Sequence, residues 1–196
     1  MTLHADVTAV LRDWPAPDPC QRAVREAFLG FLAARPDATR RTCEPGHITA
    51  STVVLAADRQ SVLLTLHPRL GRWVQLGGHC EPGDPTLVAA ALREATEESG
   101  IDGLAINPVP IRLDVHPVTC SLGLPTRHFD ILFVAVAPAG ALPVISAESD
   151  DLRFWPVRQL PSGSADLFVT LTAALSGDAE HSLGHPKELS RSKLTD

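Results

Sequence analysis

The sequence has no tyrosine, only three tryptophans and six phenylalanines, and four cysteines. A tyrosine general acid is therefore excluded, and so few aromatics give little sign of an aromatic sandwich around a nucleobase. Cys20, Cys43, Cys80 and Cys120 form no Cys-x-x-Cys pair, which argues against a zinc ribbon or a redox motif. Reduced thiols in a cytoplasm are the expectation. No apolar run approaches the roughly 20 residues of a membrane span, so no membrane partner is expected. The first residues carry Asp6 where a signal peptide has a basic region and an apolar core. Positive charge is also short: 17 basic against 23 acidic side chains give a net charge of −6. That balance lacks the field of a nucleic-acid polymer binder. Single nucleotides, often held through a metal, remain open.

The 196 residues are 44% hydrophobic and 20% charged, which suits one globular domain with a proper core. Residues 1–40 read as a helical extension packed on that core. Val7, Val10 and Leu11 share one helical face, Pro15 to Pro19 breaks the chain, and Ala23, Ala27, Phe28, Phe31 and Leu32 repeat at helical spacing. The main domain is expected over 41–176. Ile48–Ala56 and Ser61–Leu66 flank a turn and predict a hairpin. Further strands are predicted at 111–117 and 128–137, with Val74-Gln75-Leu76 continuing a strand from Trp73. A strand edge is predicted at 155–160 and a last helix at 163–175. Residues 177–196 show no apolar period and predict a flexible tail. Strands and helices mixed at this spacing imply a layered α/β or α+β domain.

The densest signal is a helix predicted at about 85–99, following Gly77-Gly78-His79-Cys80-Glu81-Pro82-Gly83. Asp84 suits its N-cap, Pro85 its first position and Gly100 its C-terminal stop. Glu94, Glu97 and Glu98 fall at i, i+3 and i+4 and share a face. Three crowded carboxylates near a helix C-terminus repel one another and oppose the helix dipole. A hard divalent cation, Mg²⁺ or Mn²⁺, relieves that repulsion. Arg93 reaches Glu97 one turn on. Leu87, Ala91, Ala95 and Leu92 supply the apolar opposite side.

These residues resemble the signature of the Nudix hydrolases, G-x5-E-x7-R-E-U-x-E-E-x-G-U, where U is a bulky aliphatic residue. Arg93-Glu94-Ala95-Thr96-Glu97-Glu98-Ser99-Gly100-Ile101 matches the second half, with Ala95 at the first U position. The first half fits once one loop residue is inserted, with Asp84 where the family has its first Glu. The resemblance implies an α/β/α sandwich with a mixed sheet. It implies hydrolysis of a diphosphate linkage in a nucleoside diphosphate derivative, with Mg²⁺ or Mn²⁺ as cofactor and a homodimer as a common assembly. By position, Glu94, Glu97, Glu98 and the Gly77 carbonyl are metal ligands, and Arg93 orients the carboxylates. The general base is a helix glutamate or a downstream loop glutamate, for which Glu148 is the candidate.

Eight histidines are many for this length. His47 follows Pro45-Gly46, His67 follows a strand, and His79 follows Gly-Gly. Asp114-Val115-His116 and His128-Phe129-Asp130 each place two polar side chains on one strand face. Such pairs line a substrate cleft or hold one more metal; hydrogen-bonded loop histidines are the alternative. Arg69, Arg72 and Arg127 are phosphate candidates, with solvated surface charge as the other reading. His79, His116, His128 and Asp130 complete the substrate-binding expectation. Trp73 is expected to pack under the sheet. Two other functions fit the same residues: a nucleotide-binding or regulatory module without turnover, and an isoprenoid diphosphate isomerase using the Cys80 thiol. The second lacks matching surroundings.

Overall fold

The computed structural model describes residues 1–119, 123, 125–146, 149–162, 167 and 169–175. The sequence of elements is α1 (Leu3–Asp13), α2 (Pro19–Ala34), β1 (His47–Leu55), β2 (Ser61–His67), β3 (Arg72–Val74), β4 (Leu76–His79), α3 (Leu87–Ser99), β5 (Ala105–Ile106), β6 (Arg112–Thr119), β7 (Pro125–Val136) and β8 (Asp151–Pro156). Residues 169–175 are helical. The expected tail, 177–196, lies outside the described residues.

One eight-stranded mixed sheet organises the chain. Its centre is β1, buried along its whole length. One edge of β1 runs parallel to β7 from His47↔His128 to Leu55↔Val136. The other edge forks. Residues 49–52 pair with β4, and Val54 and Leu55 pair with β2. The expected continuous strand through Val74 and Leu76 is therefore two strands. β3 stays with β2, and β4 crosses to β1, with Gln75 at the change of partner.

Side-chain alternation gives the two faces different jobs. Ile48, Ala50, Ile131 and Phe133 face α1, α2 and α3, packing with Val7, Leu11, Phe28, Leu32, Leu87 and Ala91. Val53, Leu55, Leu132 and Val134 face the other way, against Leu167, Leu171 and Ala174. The result is helices on both faces of a mixed sheet, as expected. The N-terminal helices share the main core. Trp14, 3% exposed, donates its indole N–H to the Pro110 carbonyl.

The α3 boundary differs from the sequence expectation. Its N-cap is Thr86, whose hydroxyl accepts from the Ala89 amide, and neither Asp84 nor Pro85 is helical. Asp84 is engaged elsewhere, accepting from the Glu81 amide and from Arg93. A second orphan donor at this end, the Leu87 amide, is met by the buried carboxylate of Asp6 from α1 at 2.7 Å. Gly100 ends the helix in the left-handed conformation at φ 64, as expected.

Candidate active site

The site is assembled where α3 crosses β4. Glycine is required on the strand side. Gly77 sits at φ 143, and a Cβ there would lie 2.5 Å from the Ser51 Cα. A Cβ on Gly78 would lie 2.7 Å from a Glu94 carboxylate oxygen. The bare backbone lets α3 bring its acids against the strand. Glu98 accepts from the Gly77 amide at 3.0 Å.

Arg93 ties the acids together. Its Nε and Nη2 donate to the two oxygens of Asp84 at 3.0 and 3.1 Å. Its Nη1 donates to Glu94 at 3.1 Å and to Glu97 at 3.0 Å, and Nη2 also reaches the His79 carbonyl at 2.9 Å. The bond to Asp84 first, and the neighbouring negative charge next, hold this guanidinium firmly protonated despite partial burial. Burial alone would raise the Asp84 carboxyl. The Arg93 bond, the Glu81 amide and the Arg93 charge outweigh it and leave Asp84 below the usual carboxylate range. Asp84 is thus the anchor of Arg93. Glu97 remains the most exposed of the cluster, at 61% of its side chain.

On the opposite face of the sheet lies a histidine cluster. The Thr52 hydroxyl points to α3, so Thr49 and Ser51 point away from it, and both donate to the Asp130 carboxylate at 2.7 and 2.9 Å. His47, His79 and His128 share that face, with ring centroids 5.0 to 5.1 Å apart. His116 adds a fourth ring 5.4 Å from His128. Burial, then neighbouring positive charge, lowers His79 to about 4 and His128 to about 3. His116 behaves oppositely: its Nδ1 bond to Asp114 at 2.8 Å raises it and lowers Asp114. Asp130 is 2% exposed, and burial raises its carboxyl.

The remaining expected residues are dispersed. Arg69 is exposed on the turn after β2, Arg72 is exposed at the start of β3, and Arg127 is exposed on β7 with its guanidinium on the Thr126 carbonyl. Arg72 lies close enough to His116 to oppose its protonation. Glu148 lies outside the described residues. Trp73 packs beneath the sheet, edge-on to Trp155, as expected. Cys80 is 5% exposed on the α3 side, and burial pushes its thiol up to about 12, which removes it as a nucleophile. His47 and Arg41 were given no role by the sequence, yet Arg41 acts on all three clustered rings. Strand pairing across 81 positions puts His47 beside His128, and no local pattern signals it.

Among the described residues, no helix is long and apolar enough to cross a membrane. A family model described as the NUDIX domain matches residues 45–172. No curated protein matches the sequence. Solved structures do. The Nudix domain of Shewanella oneidensis NrtR, complexed with ADP ribose, is 22% identical, with a TM-score of 0.53, covering 76% of this chain and 96% of that one. A C. elegans Ap4A hydrolase binary complex is 19% identical, with a TM-score of 0.53 and coverage of 68% and 98%. The E. coli dihydroneopterin triphosphate pyrophosphohydrolase is 20% identical, with a TM-score of 0.52 and coverage of 66% and 95%. At these identities the likeness is one of fold.

Proposed function

The chain belongs to the Nudix family, and from that premise we propose that it is a divalent-metal-dependent hydrolase of a diphosphate linkage in a nucleoside diphosphate derivative. The observation that carries this is the arginine-centred acid cluster against a glycine backbone. Three carboxylates on one helix face are a hard-oxygen donor set of the kind Mg²⁺ or Mn²⁺ takes. Glu94, Glu97 and Glu98 would hold the ion, with the Gly77 carbonyl as a further ligand. When bound, such an ion neutralises phosphate charge and acidifies a water.

The chain's own residues prepare that site. Arg93, anchored by Asp84, holds Glu94 and Glu97 one turn apart and spreads its charge between them. Its hold on the His79 carbonyl fixes the end of β4 relative to α3. The Gly77 amide fixes Glu98. Arg69, Arg72 and Arg127 are exposed cations suited to phosphate oxygens. The faces of His79, His116 and His128 would line the substrate together with Asp130, which Thr49 and Ser51 hold on the same face of the sheet. The base is a helix glutamate or Glu148. Structures of similar fold carry ADP ribose or act on Ap4A, so nucleotide-type diphosphates are the class to try first. A homodimer and a cytoplasmic setting complete the reading.

The test is a screen for released phosphate over nucleoside di- and triphosphates, nucleotide sugars and dinucleotides, with Mg²⁺ and Mn²⁺ and an added phosphatase. A hit whose kcat falls about 100-fold or more in both Glu97→Gln and Glu98→Gln is the expected result. Full rate in both variants overturns the assignment. Saturable nucleotide binding without turnover under either metal replaces it with a binding module.

A further inference from the structure

We propose that His47, His79 and His128 bind one zinc-class divalent cation, at a second site on the face of the sheet opposite α3. One ligand atom from each of these histidines lies within 4.8 Å of the other two. They come from three adjacent strands: β4 pairs with β1 at Thr49↔His79, and β1 pairs with β7 at His47↔His128. A tetrahedral ion with Zn–N of about 2.0–2.1 Å needs nitrogens roughly 3.3 Å apart. Each ring has to move inward by less than about 1 Å, a small side-chain rotation.

Two unmet atoms support this independently. The Nε2 atoms of His47 and His128 are buried and have no hydrogen-bond partner among the described residues. His47 is 1% exposed, and its Nδ1 faces the Cys43 carbonyl at 3.5 Å. A carbonyl only accepts, so Nδ1 carries the proton and Nε2 presents a bare lone pair. That outer bond is the arrangement that orients a ligating imidazole. Buried polar atoms are ordinarily satisfied, and a shared cation satisfies both. Arg41 is the adverse charge, biasing all three rings against a positive neighbour. Three converging nitrogens work against it.

The donor chemistry separates the two sites. Imidazole nitrogens select Zn²⁺, Co²⁺ or Ni²⁺, whereas carboxylate oxygens select Mg²⁺ or Mn²⁺. The inference does not rest on the hydrolase reading, since bound metal is read directly and not through turnover at α3; a cation on His79 and His128 would take the place of the substrate contacts proposed for those two rings.

The experiment is a titration of full-length, chelator-stripped protein with Co²⁺ and then Zn²⁺. Metal content is measured alongside, and circular dichroism checks the fold of each variant. One equivalent of Co²⁺ is expected, with the intense visible bands of a tetrahedral nitrogen site. One equivalent of Zn²⁺ should bleach them. They should persist in excess Mg²⁺ and in the Glu97→Gln/Glu98→Gln double variant. His79→Gln and His128→Asn should each weaken binding at least about 100-fold. Absence of the bands in the wild-type chain overturns the proposal, whatever the variants do. So does their loss in the glutamate variant or in Mg²⁺, or their survival in both folded histidine variants. Stabilisation by inorganic phosphate without a Co²⁺ spectrum would make the cluster an anion pocket and also overturn it.

Discussion

Arg93 shows how much one side chain can organise. A planar fork engages both oxygens of Asp84 while its other nitrogen serves two glutamates. Lysine keeps the charge but offers no fork. Arg93→Lys should therefore cost about 2 kcal/mol of stability, because Asp84, 9% exposed, loses most of its pairing. Urea unfolding measures this, and an unchanged midpoint would sink the idea. Gly77 and Gly78 predict a contrast. Gly77→Ala meets backbone and a positive φ, so it should destabilise by roughly 2 kcal/mol or more. Gly78→Ala meets only the flexible end of Glu94, so it should fold and lose activity instead. Stability and turnover of the two variants, measured side by side, check the split. The sequence supplied the pairing of Arg93 with Glu97, since both lie one turn apart on one helix. It could not supply Asp84 as the anchor, because that contact depends on how the loop after β4 folds back.

At the scale of elements, α3 is held at both ends by different means. Gly100 closes its C-terminus from the local sequence. Its N-terminus is closed partly by Thr86 and partly by Asp6, 81 residues away. Asp6→Ala should cost about 1–2 kcal/mol, with loss of a buried cap and of a negative charge at a helix N-terminus. Asp6→Asn, which keeps the acceptor, should cost less. Thermal unfolding of the pair checks the order, and equal losses would argue against the cap. The misplaced N-cap at Asp84 has the same origin. Asp, Pro and Thr in succession offer two acceptable caps, and Arg93 takes one of them out of contention. The split of β3 from β4 was likewise hidden, because a change of strand partner leaves no trace in the alternation of one short run.

Across the whole molecule, the histidine cluster makes stability depend on pH. Burial first, then positive neighbours, keeps His79 and His128 neutral down to about 4 and about 3. Between those values and the ordinary imidazole range near 6.5, the unfolded chain binds protons that the folded chain does not. These two groups therefore make stability rise with pH through that window, in full above it and lost progressively as the medium is acidified. His116 and Asp130, both raised, act in the opposite direction. Comparing His128→Asn with the wild-type chain isolates the effect. In chelated protein the variant's urea midpoint should fall less between pH 7 and pH 5. An equal or steeper fall would refute it.

What the sequence determined by itself is whatever lies within a few turns of chain. The acid face of α3, its glycine stop, the N-terminal helices, the hairpin and the family signature are all written in local spacing, because helix and strand periods act over a handful of residues. The tertiary structure alone decided what is brought together from afar. Parallel pairing of β1 with β7 sets His47 beside His128 and puts Asp130 under the Thr49 and Ser51 hydroxyls. The crossing of β4 to β1 adds His79 to that group and sets Gly77 and Gly78 under Glu98 and Glu94. Those contacts depend on which strands become neighbours and in what register. Burial of the whole core selects that arrangement, and no single segment encodes it.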